Sequence, residues 1–409
     1  MSPPQPLESD LAADARRLGG AFGGFLRDVA ATARRARRGL GAFPVWRGAL
    51  VCRRLRAHPR RLPAAARIPP ALHLPISRQA SFLASLETCD AASLAPLLAQ
   101  YTRASLGAVL TSLGVACPPA ELAASGLDPA RLWTEQAARA FACTSLMRRI
   151  ELLRQEQRAL LLRYLSQQGL PAAGEVLVAD IGWRGSIQDN LSRLLPRARL
   201  HGCYFLLLAP FVVPSPASTR QSFLAPDAST ARRLRFGAPL ELAVGSPHGS
   251  VTQYRAEGDW VRPVEAPLPA TPAVIAARLA RFRAALAAAA VAAPTPPDAA
   301  LSDVLRVLEH PSRGFAALYL GGARDERFGT GGTVASAARL TLGRLLAALP
   351  HRAERHRLGL ALADSGWPWA LLRRDLPWLL PLLRPALLRL DPRLPGAPCS
   401  VASAPRRPA

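Results

Sequence analysis

The sequence contains no lysine, only two methionines and few aromatic residues. All 52 basic residues are arginine, and the formal net charge is +24. Together with the abundance of Ala, Pro and Gly, this composition indicates a GC-rich genome, in which arginine replaces lysine through codon supply. Part of the positive charge is therefore compositional bias, and the charge alone does not indicate a nucleic-acid-binding protein.

Cysteines and long apolar runs are also scarce. The six cysteines have no C-x-x-C spacing, so they indicate neither a zinc site nor a disulfide framework; they are Cys52, Cys89, Cys117, Cys143, Cys203 and Cys399. The opening M-S-P-P-Q-P-L-E-S-D has no basic region followed by an apolar one, and prolines interrupt the longest apolar runs. We therefore expect no signal peptide, no transmembrane helix and a cytoplasmic location with reduced thiols.

Positive charge is concentrated near the N-terminus. Residues 1–70 contain fourteen arginines and four acidic residues. Such a segment would attract phosphate polymers or an anionic membrane surface. However, aromatic stacking partners are scarce beside these arginines, and large apolar side chains are few. We expect a poorly ordered basic arm whose removal leaves the melting temperature of the rest unchanged, and we do not expect a nucleic-acid partner.

The most informative stretch is V-L-V-A-D-I-G-W-R-G-S-I-Q-D-N-L, residues 176–191. Residues 176–179 are typical of a buried strand, which places Asp180 at the carboxyl edge of a sheet. Gly182 and Gly185 permit a tight turn, and Ser186 is suited to cap the helix that follows. The exposed N–H groups and the dipole of that helix favour a phosphate or carboxylate.

A second buried strand is predicted over residues 201–208, so the unit is β-loop-α-β. The segment is neither G-x-G-x-x-G nor a P-loop, because it lacks a third glycine and a G-K-[ST]. This excludes the usual dinucleotide and nucleoside-triphosphate motifs. The alternative is that Asp180 and the glycines only form a turn, with Trp183 packing over it.

The rest of the chain predicts a small Rossmann-like parallel sheet with extensive helical insertions. A short strand at residues 72–76 delivers Ser77 and Arg78, and helical periodicity follows from 94 to 113 and from 144 to 168. Residues 240–244 and 251–254 are predicted to form a strand, a turn and a strand. We expect an α/β core over residues 71–265, a helical region over 266–395 and a disordered tail over 396–409.

Other residues have possible chemical roles. Ser77 and Arg78 would form a phosphate-binding pair. His248 would serve as an acid or base, with Glu241 orienting it, or would only bond to the backbone of its turn. Asp180, Ser186 and His248 do not form a hydrolytic triad of the usual kind, because Ser186 lacks a G-x-S-x-G elbow.

No metal site is expected. His351, Glu354 and His356 have H-x-x-E-x-H spacing, which places the two histidines off a common helix face and favours a charged helix surface. No cofactor is evident, and Mg²⁺ is expected only if the chain is catalytic.

The segment D-I-G-W-R-G-S-I-Q resembles the D-I-G-W-x-G-[ST]-x-Q block of large bacterial haloacid dehalogenase (HAD)-like hydrolases found with surface-polysaccharide biosynthesis genes. Three further blocks resemble the same family in the same order: residues 73–82, 246–254 and 365–368. The resemblance covers about residues 72 to 385. It implies a hydrolase-family module that binds a phosphorylated or nucleotide-linked sugar.

The chain departs from this family in one respect. Phosphohydrolases of the family carry a strand that ends in D-x-D, whose first aspartate attacks phosphorus while the second acts as acid and base. Here Gly182 stands two residues after Asp180, and no upstream strand ends in such a pair. The resemblance therefore leaves two hypotheses: an enzyme, or a binding module that holds a sugar derivative or scaffolds a partner glycosyltransferase. An active phosphohydrolase would require an upstream catalytic domain lost from the gene model.

The predicted site lies at the carboxyl edge of the sheet, in a concavity near His248. The predicted catalytic residues are Asp180 and His248. The predicted ligand-binding residues are Ser77, Arg78, Gly182, Trp183, Arg184, Gly185, Ser186, Gln188, Glu241 and Gly249. We expect the chain to bind an anionic sugar derivative and to hydrolyse it poorly.

Overall fold

The structure is a computed structural model of the chain. It describes residues 8–37, 43–46, 72–98, 104–210, 214–245, 249–267, 270–322, 324–325, 333–334, 339–348 and 350–389. Within this part of the chain, helices surround a parallel sheet.

Five parallel strands form the central sheet. They are β1 (Phe43–Trp46), β2 (Leu72–His73), β3 (Ala173–Asp180), β4 (Arg197–Leu206) and β5 (Ser218–Leu224). Their order across the sheet is β2-β1-β3-β4-β5. The register pairs Trp46 with Ala179 and Asp180 with Tyr204. The predicted α/β class and the strands near residues 176 and 201 are confirmed, whereas β1 and β5 were not predicted.

The remaining strands form two antiparallel pairs, β6 (Val251–Glu257) with β7 (Trp260–Glu265) and β8 (Arg324–Asp325) with β9 (Thr333–Val334). The helices are α1 (Ser9–Arg37), α2 (Arg78–Ser85), α3 (Ala91–Leu98), α4 (Leu106–Leu113), α5 (Pro119–Ala124), α6 (Trp133–Ala142), α7 (Thr144–Gln167), α8 (Ser186–Leu194), α9 (Ala228–Arg233), α10 (Ala238–Val244), α11 (Ala273–Ala292), α12 (Pro297–Glu309), α13 (Arg313–Gly321), α14 (Leu342–Ala348), α15 (Arg352–Asp364), α16 (Pro368–Asp375) and α17 (Leu380–Arg389). Short 3₁₀ segments lie at Leu234–Phe236 and Pro377–Leu379.

Helices bury both faces of the sheet. Leu177 and Ala179 of β3 belong to a core shared with α1 and the C-terminal helices. Val176 and Val178, on the opposite face, belong to a core shared with α2, α7 and α8. Because side chains alternate between the faces, burial on both sides requires the unbroken apolar run that β3 shows in the sequence.

The N-terminal region differs from the prediction. Ser9–Arg37 is one helix of 29 residues, and its apolar face belongs to the core over the sheet. Phe22 stacks on Phe205 of β4 with ring centroids 4.2 Å apart. The prediction of a poorly ordered arm over residues 1–70 is therefore wrong for α1, and β1 from the same region lies inside the sheet.

Small residues explain how α1 packs despite its few large apolar side chains. Gly19 and Gly23 face the backbone of α11, where a Cβ on Gly19 would lie 2.6 Å from the Cβ of Ala289. A Cβ on Gly23 would overlap the carbonyl oxygen of Ala290. The two helix backbones therefore approach so closely that only glycine fits between them. The contact area comes from proximity rather than from side-chain size.

Helices α3 to α7 enclose a separate apolar core, which includes Leu110, Trp133 and Ile150. The helical periodicity predicted over residues 94–113 corresponds to α3 and α4, and that over 144–168 corresponds to α7. Gly169, with φ of 78°, follows the end of α7. The prediction for 144–168 is confirmed. That for 94–113 is confirmed over 94–98 and 106–113, whereas Ala104 and Ser105 are not helical and residues 99–103 lie outside the described residues.

Arg154 forms an ion pair within α7 and joins this helix to the end of α2. Arg154 is buried, and its guanidinium donates to both carboxylate oxygens of Glu151 at 2.8 and 2.7 Å. It also donates to the carbonyl oxygen of Leu86 at 2.8 Å. The hydrogen bonds from Arg154 lower the pKa of Glu151 from its ordinary 4.5 to about 2.

This pKa shift predicts a pH-dependent stability. A carboxyl whose folded-state pKa is depressed stabilises the fold above its ordinary pKa, and the contribution is lost as the pH falls towards the folded-state value. Glu151→Gln should therefore lower the free energy of unfolding at pH 7 (measured by urea denaturation), and its difference from wild type should shrink from pH 4.5 down to about pH 2. Glu156→Gln, at an exposed position of the same helix, is the control and should change little at any pH. If Glu151→Gln lowered the free energy of unfolding by the same amount at every pH, the lowered pKa of Glu151 would be contradicted.

The predicted strand at residues 240–244 is wrong. These residues belong to α10, which has Pro239 in its first turn, where proline favours helix initiation. The predicted strand at 251–254 is confirmed as part of β6, but its partner is β7 across the turn Gly258-Asp259. Gly-Asp is a typical two-residue hairpin turn. Because the hairpin supplies the partner strand, residues 240–244 are not needed in the sheet.

Among the described residues from α11 onwards, the regular elements are helices apart from β8 and β9, as predicted. Trp367 is fully buried in the same core as α1, and its indole N–H donates to the carbonyl oxygen of Leu308 at 2.8 Å. The predicted disordered tail over 396–409 lies outside the described residues, and the boundaries at 265 and 395 stay predictions.

Candidate functional site

Asp180 ends β3 at the carboxyl edge of the sheet. From β1, the next strand along the chain, β2, lies towards one edge of the sheet. From β3, the next strands, β4 and β5, lie towards the opposite edge. Open parallel sheets bind ligands at the carboxyl edge where such connections diverge. Asp180 is buried at this place, and one of its carboxylate oxygens accepts a 2.8 Å hydrogen bond from the backbone N–H of Ile181.

The loop after Asp180 lies alongside the end of β4 and forms backbone hydrogen bonds with it. The backbone N–H of Leu206 donates to the carbonyl oxygen of Ile181 at 3.1 Å, and that of Leu208 donates to the carbonyl oxygen of Trp183 at 2.6 Å. Gly182 has φ of 138°, and a Cβ there would overlap the carbonyl oxygen of Leu206. The position two residues after Asp180 therefore accepts no side chain of any kind.

Gly185 is the N-cap of α8 and has φ of 72°. Ser186 is the first residue of the helix rather than its cap, so the predicted capping role of Ser186 is wrong. Within the described residues no side chain caps α8. The first-turn N–H groups of α8 lack intrahelical partners and lie where the chain leaves the carboxyl edge of the sheet, so they are candidate donors to an anion.

Arg220 of β5 lies beneath the start of α8, and no motif or spacing in the sequence singled out this residue. Its side chain is 7% exposed and forms an ion pair with Asp189 in the first turn of α8. It also donates to the carbonyl oxygen of Arg184 at 3.3 Å. A Cβ on Gly185 would lie 2.8 Å from its Cζ atom. Its buried Nε has no hydrogen-bond partner among the residues that the structure describes.

Two opposing influences act on the pKa of Asp189 in this buried ion pair. Burial raises the pKa of Asp189, and the neighbouring Arg220 opposes that shift. Taking a carboxylate out of water is costly unless a cation compensates it. Arg220 therefore stabilises the ionised Asp189 and places a guanidinium below the α8 N-terminus, where the Asp189 carboxylate compensates its charge.

Trp183 and Glu241 meet on the side of the site formed by α10. The indole N–H of Trp183 donates to the carboxylate of exposed Glu241 at 2.5 Å. A Cβ on Gly237 would overlap the indole ring, so Trp183 packs directly on the Gly237 backbone. Glu241 thus has a partner other than the predicted His248, which lies outside the described residues.

Arg184 is half-buried and donates to the carbonyl oxygen of Ala209, just beyond β4. Gln188, in the first turn of α8, is fully buried. Its amide donates to the carbonyl oxygens of Leu200 and Thr219 at 2.9 Å each and accepts from the Tyr204 hydroxyl at 2.7 Å. The ligand-binding role predicted for Gln188 does not fit this position, because its amide joins α8 to β4 and β5.

Ser77 and Arg78 begin α2, beyond the carboxyl end of β2. Ser77 is buried and caps α2 by accepting from the N–H of Ala80 at 3.0 Å, and its hydroxyl donates to the carbonyl oxygen of Val251 at 2.5 Å. It therefore has a structural role in joining α2 to β6. Arg78 is half-buried at the first position of α2. β1 separates these residues from Asp180 in the sheet.

Gly249 precedes β6, and a Cβ there would overlap the carbonyl oxygen of Ala266. Its close contact with the chain after β7 explains this glycine without a ligand. The predicted concavity beside His248 stays a prediction.

In the described parts of the chain, no group of three or more His, Cys, Asp or Glu side chains is arranged to hold a metal ion. His351, Glu354 and His356 are exposed. Among the described helices, none has the length and apolar character needed to cross a membrane.

No family model matches the chain, and no curated protein matches its sequence. The resemblance to HAD-like hydrolases therefore rests on the quoted motifs and stays a prediction.

Proposed function

We propose that this chain binds a phosphorylated or nucleotide-linked sugar at the carboxyl edge of its sheet, as a module resembling the HAD-like hydrolases of surface-polysaccharide biosynthesis. The observation that carries the proposal is the start of α8. The N-terminus of α8, with Gly185 as its cap residue, lies at the carboxyl edge shortly after buried Asp180, and the guanidinium of Arg220 lies beneath it.

The phosphate is the part of the ligand that this arrangement suits best. The first-turn N–H groups of α8 and the helix dipole favour an anion. Arg220 adds a guanidinium whose buried Nε has no hydrogen-bond partner among the described residues, in a setting where electrostatic interactions are less screened than in water. Arg184 borders the same loop and adds a donor of charge-assisted hydrogen bonds.

The sugar would lie towards Asp180 and Trp183. A carboxylate accepts hydrogen bonds from hydroxyl groups, and Asp180 ends the strand immediately beside the proposed phosphate position. Trp183 is held by Glu241 and Gly237 at the border of the loop. In this arrangement the phosphate of the ligand contacts the start of α8, and the sugar hydroxyl groups contact the end of β3.

The strand order supports a Rossmann-like assignment. The order β2-β1-β3-β4-β5 is that of flavodoxin-like sheets, in which ligands bind at the divergence between β1 and β3. We propose this architecture for residues 43–224.

We propose binding rather than efficient hydrolysis. Phosphoryl transfer by the HAD route requires a second carboxylate two residues after the nucleophile, and the backbone around Gly182 has no room for one. Mg²⁺ would be needed only if the chain were catalytic, with Asp180 as the carboxylate at the end of β3 that could contact it.

Calorimetric titration with glucose 1-phosphate and UDP-glucose tests this proposal. Wild type should bind at least one of these probes. Arg184→Ala or Asp180→Asn should weaken binding by about tenfold or more, because the first removes a charge-assisted hydrogen bond to the phosphate and the second replaces a charged acceptor of the sugar hydroxyls with a neutral one. Arg199→Ala is the control, because Arg199 is an exposed arginine in the amino-terminal half of β4. A magnesium-dependent phosphatase assay should show little turnover.

Two results would contradict the proposal. Robust phosphatase activity that Asp180→Asn abolishes would show that the chain is an enzyme. Failure of wild type to bind any sugar phosphate or nucleotide sugar would remove the ligand site and leave the scaffold for a glycosyltransferase as the alternative.

A further inference from the structure

Two pairs of large apolar side chains are exposed on the C-terminal helices. Leu342 and Leu346 of α14 are 39% and 55% exposed, and Trp378 and Leu382 are 58% and 72% exposed. Within each pair the residues are four apart, so they lie on the same face of their helical segment. We call these four residues the apolar surface.

These exposed residues are not the core-facing side of their helices. Leu345, Leu379 and Leu383, from the same segments, pack against the central core. A surface helix normally places polar residues on the face opposite its core contact. Both segments therefore bury one apolar face and present further apolar residues to solvent.

A hydrogen bond places the two segments close together. The backbone N–H of Leu340, two residues before α14, donates to the carboxylate of Asp375 at 2.8 Å. Asp375 ends α16, three residues before Trp378. The two pairs therefore follow two points of the chain that this hydrogen bond holds together.

The same region is strongly basic. Residues 339–389 contain nine arginines and three acidic residues. Arginines at exposed positions here are Arg344, Arg352, Arg355, Arg357 and Arg374. Arg357 pairs with Glu354, Arg374 with Asp375 and Arg384 with Glu309, and the range still has six more arginines than acidic residues.

We infer that the apolar surface and its arginines bind the surface of a lipid bilayer that contains anionic lipids. Arginines attract anionic headgroups, Trp is suited to the headgroup level, and leucines enter the boundary of the acyl chains. The helical segments have seven and ten residues, so they contact the bilayer surface rather than cross it, since a span needs about 20 residues.

A bilayer fits better than other partners. A nucleic acid would use the arginines and the tryptophan, but it would leave three exposed leucines without a role. Protein partners require shape-complementary packing at the interface core, whereas a fluid lipid surface accepts separate protruding side chains. This surface is distinct from the proposed sugar site and does not depend on it.

Vesicle co-sedimentation of the full chain tests the inference. The probes are vesicles of phosphatidylcholine mixed with phosphatidylglycerol, and vesicles of phosphatidylcholine alone. We expect binding to the anionic vesicles that weakens at high salt. Trp378→Ser with Leu382→Ser should lower the partition coefficient by about tenfold or more, because both side chains lose their apolar contact with lipid.

Leu342→Ser with Leu346→Ser gives an independent second variant and should also weaken binding. The matched control is Trp260→Ser with Leu152→Ser, which removes a Trp and a Leu that are 57% and 58% exposed elsewhere on the molecule. The control should bind like wild type. Equal unfolding midpoints for all variants would show that the fold is retained.

The inference is overturned if wild type fails to bind anionic vesicles or if both apolar-surface variants bind as tightly as wild type. It is also overturned if sedimentation equilibrium shows self-association that Trp378→Ser abolishes while vesicle binding is absent. That result would assign the surface to contacts between copies of the chain.

Discussion

Arg220→Met should reduce the free energy of unfolding by about 3–5 kcal/mol at neutral pH, since removing one partner of a buried ion pair leaves an uncompensated charge. Asp189, with its side chain 7% exposed, would lose its cation. Urea denaturation measures this loss. The same substitution should abolish the binding of sugar phosphates, because the α8 N-terminus loses the positive charge beneath it.

The loss in free energy of unfolding caused by Arg220→Met should depend on pH. Burial already raises the pKa of Asp189, and loss of Arg220 removes the opposing influence. A carboxyl with a raised folded-state pKa destabilises the fold as the pH rises through that pKa. The deficit should therefore be largest at neutral pH and should shrink as acid protonates Asp189.

The double variant Arg220→Gln with Asp189→Asn separates stability from ligand binding. Replacing both charges removes the cost of an unpaired ion, so most of the lost stability should return. Binding of glucose 1-phosphate or UDP-glucose should stay weak, because the guanidinium is still absent. A double variant that binds like wild type would show that Arg220 only stabilises the fold.

Gly23→Ala should destabilise the protein by about 3 kcal/mol, although alanine is the better helix former by about 1 kcal/mol. The added methyl group would overlap the Ala290 carbonyl oxygen of α11. Either the helices separate or the backbone shifts, and both outcomes reduce the contact between α1 and the core over the sheet. Thermal and urea denaturation measure the effect.

Gly343→Ala is the matched control for this substitution. Gly343 also lies in a helix, α14, but nothing lies within 4 Å of a Cβ added there. We expect this variant to be unchanged or more stable by up to about 1 kcal/mol. If Gly23→Ala were as stable as wild type, α1 would not pack on α11 as described, and the basic segment would be a dispensable arm after all.

Local sequence patterns predicted the elements that local interactions determine. The unbroken apolar run before Asp180 identified β3, because a strand covered on both faces needs apolar residues at every position. The spacing of apolar residues over 144–168 identified α7. Gly182 and Gly185 marked the turn into α8, and both have the positive φ that favours glycine.

Several parts of the site depended on contacts between distant residues. The sequence indicated a ligand role for Gln188, but the fold buries its amide between α8 and the strands β4 and β5. Arg220 stands 31 residues from Asp189, and no spacing rule connects them. The partner of Trp183 is Glu241, 58 residues away, in a segment that the alternation of apolar residues wrongly favoured as a strand.

By itself, the sequence determined the α/β class, the strand that ends in Asp180 and the glycine turn at the start of α8, because each depends on backbone preference and burial within a few residues. The tertiary structure decided that α1 belongs to the core, since close packing depends on how nearly two helices approach and not on how large their side chains are. It also decided which polar groups lie beneath the α8 N-terminus. The charge that Arg220 provides there acts through space, between strands and helices that only the folded chain brings together.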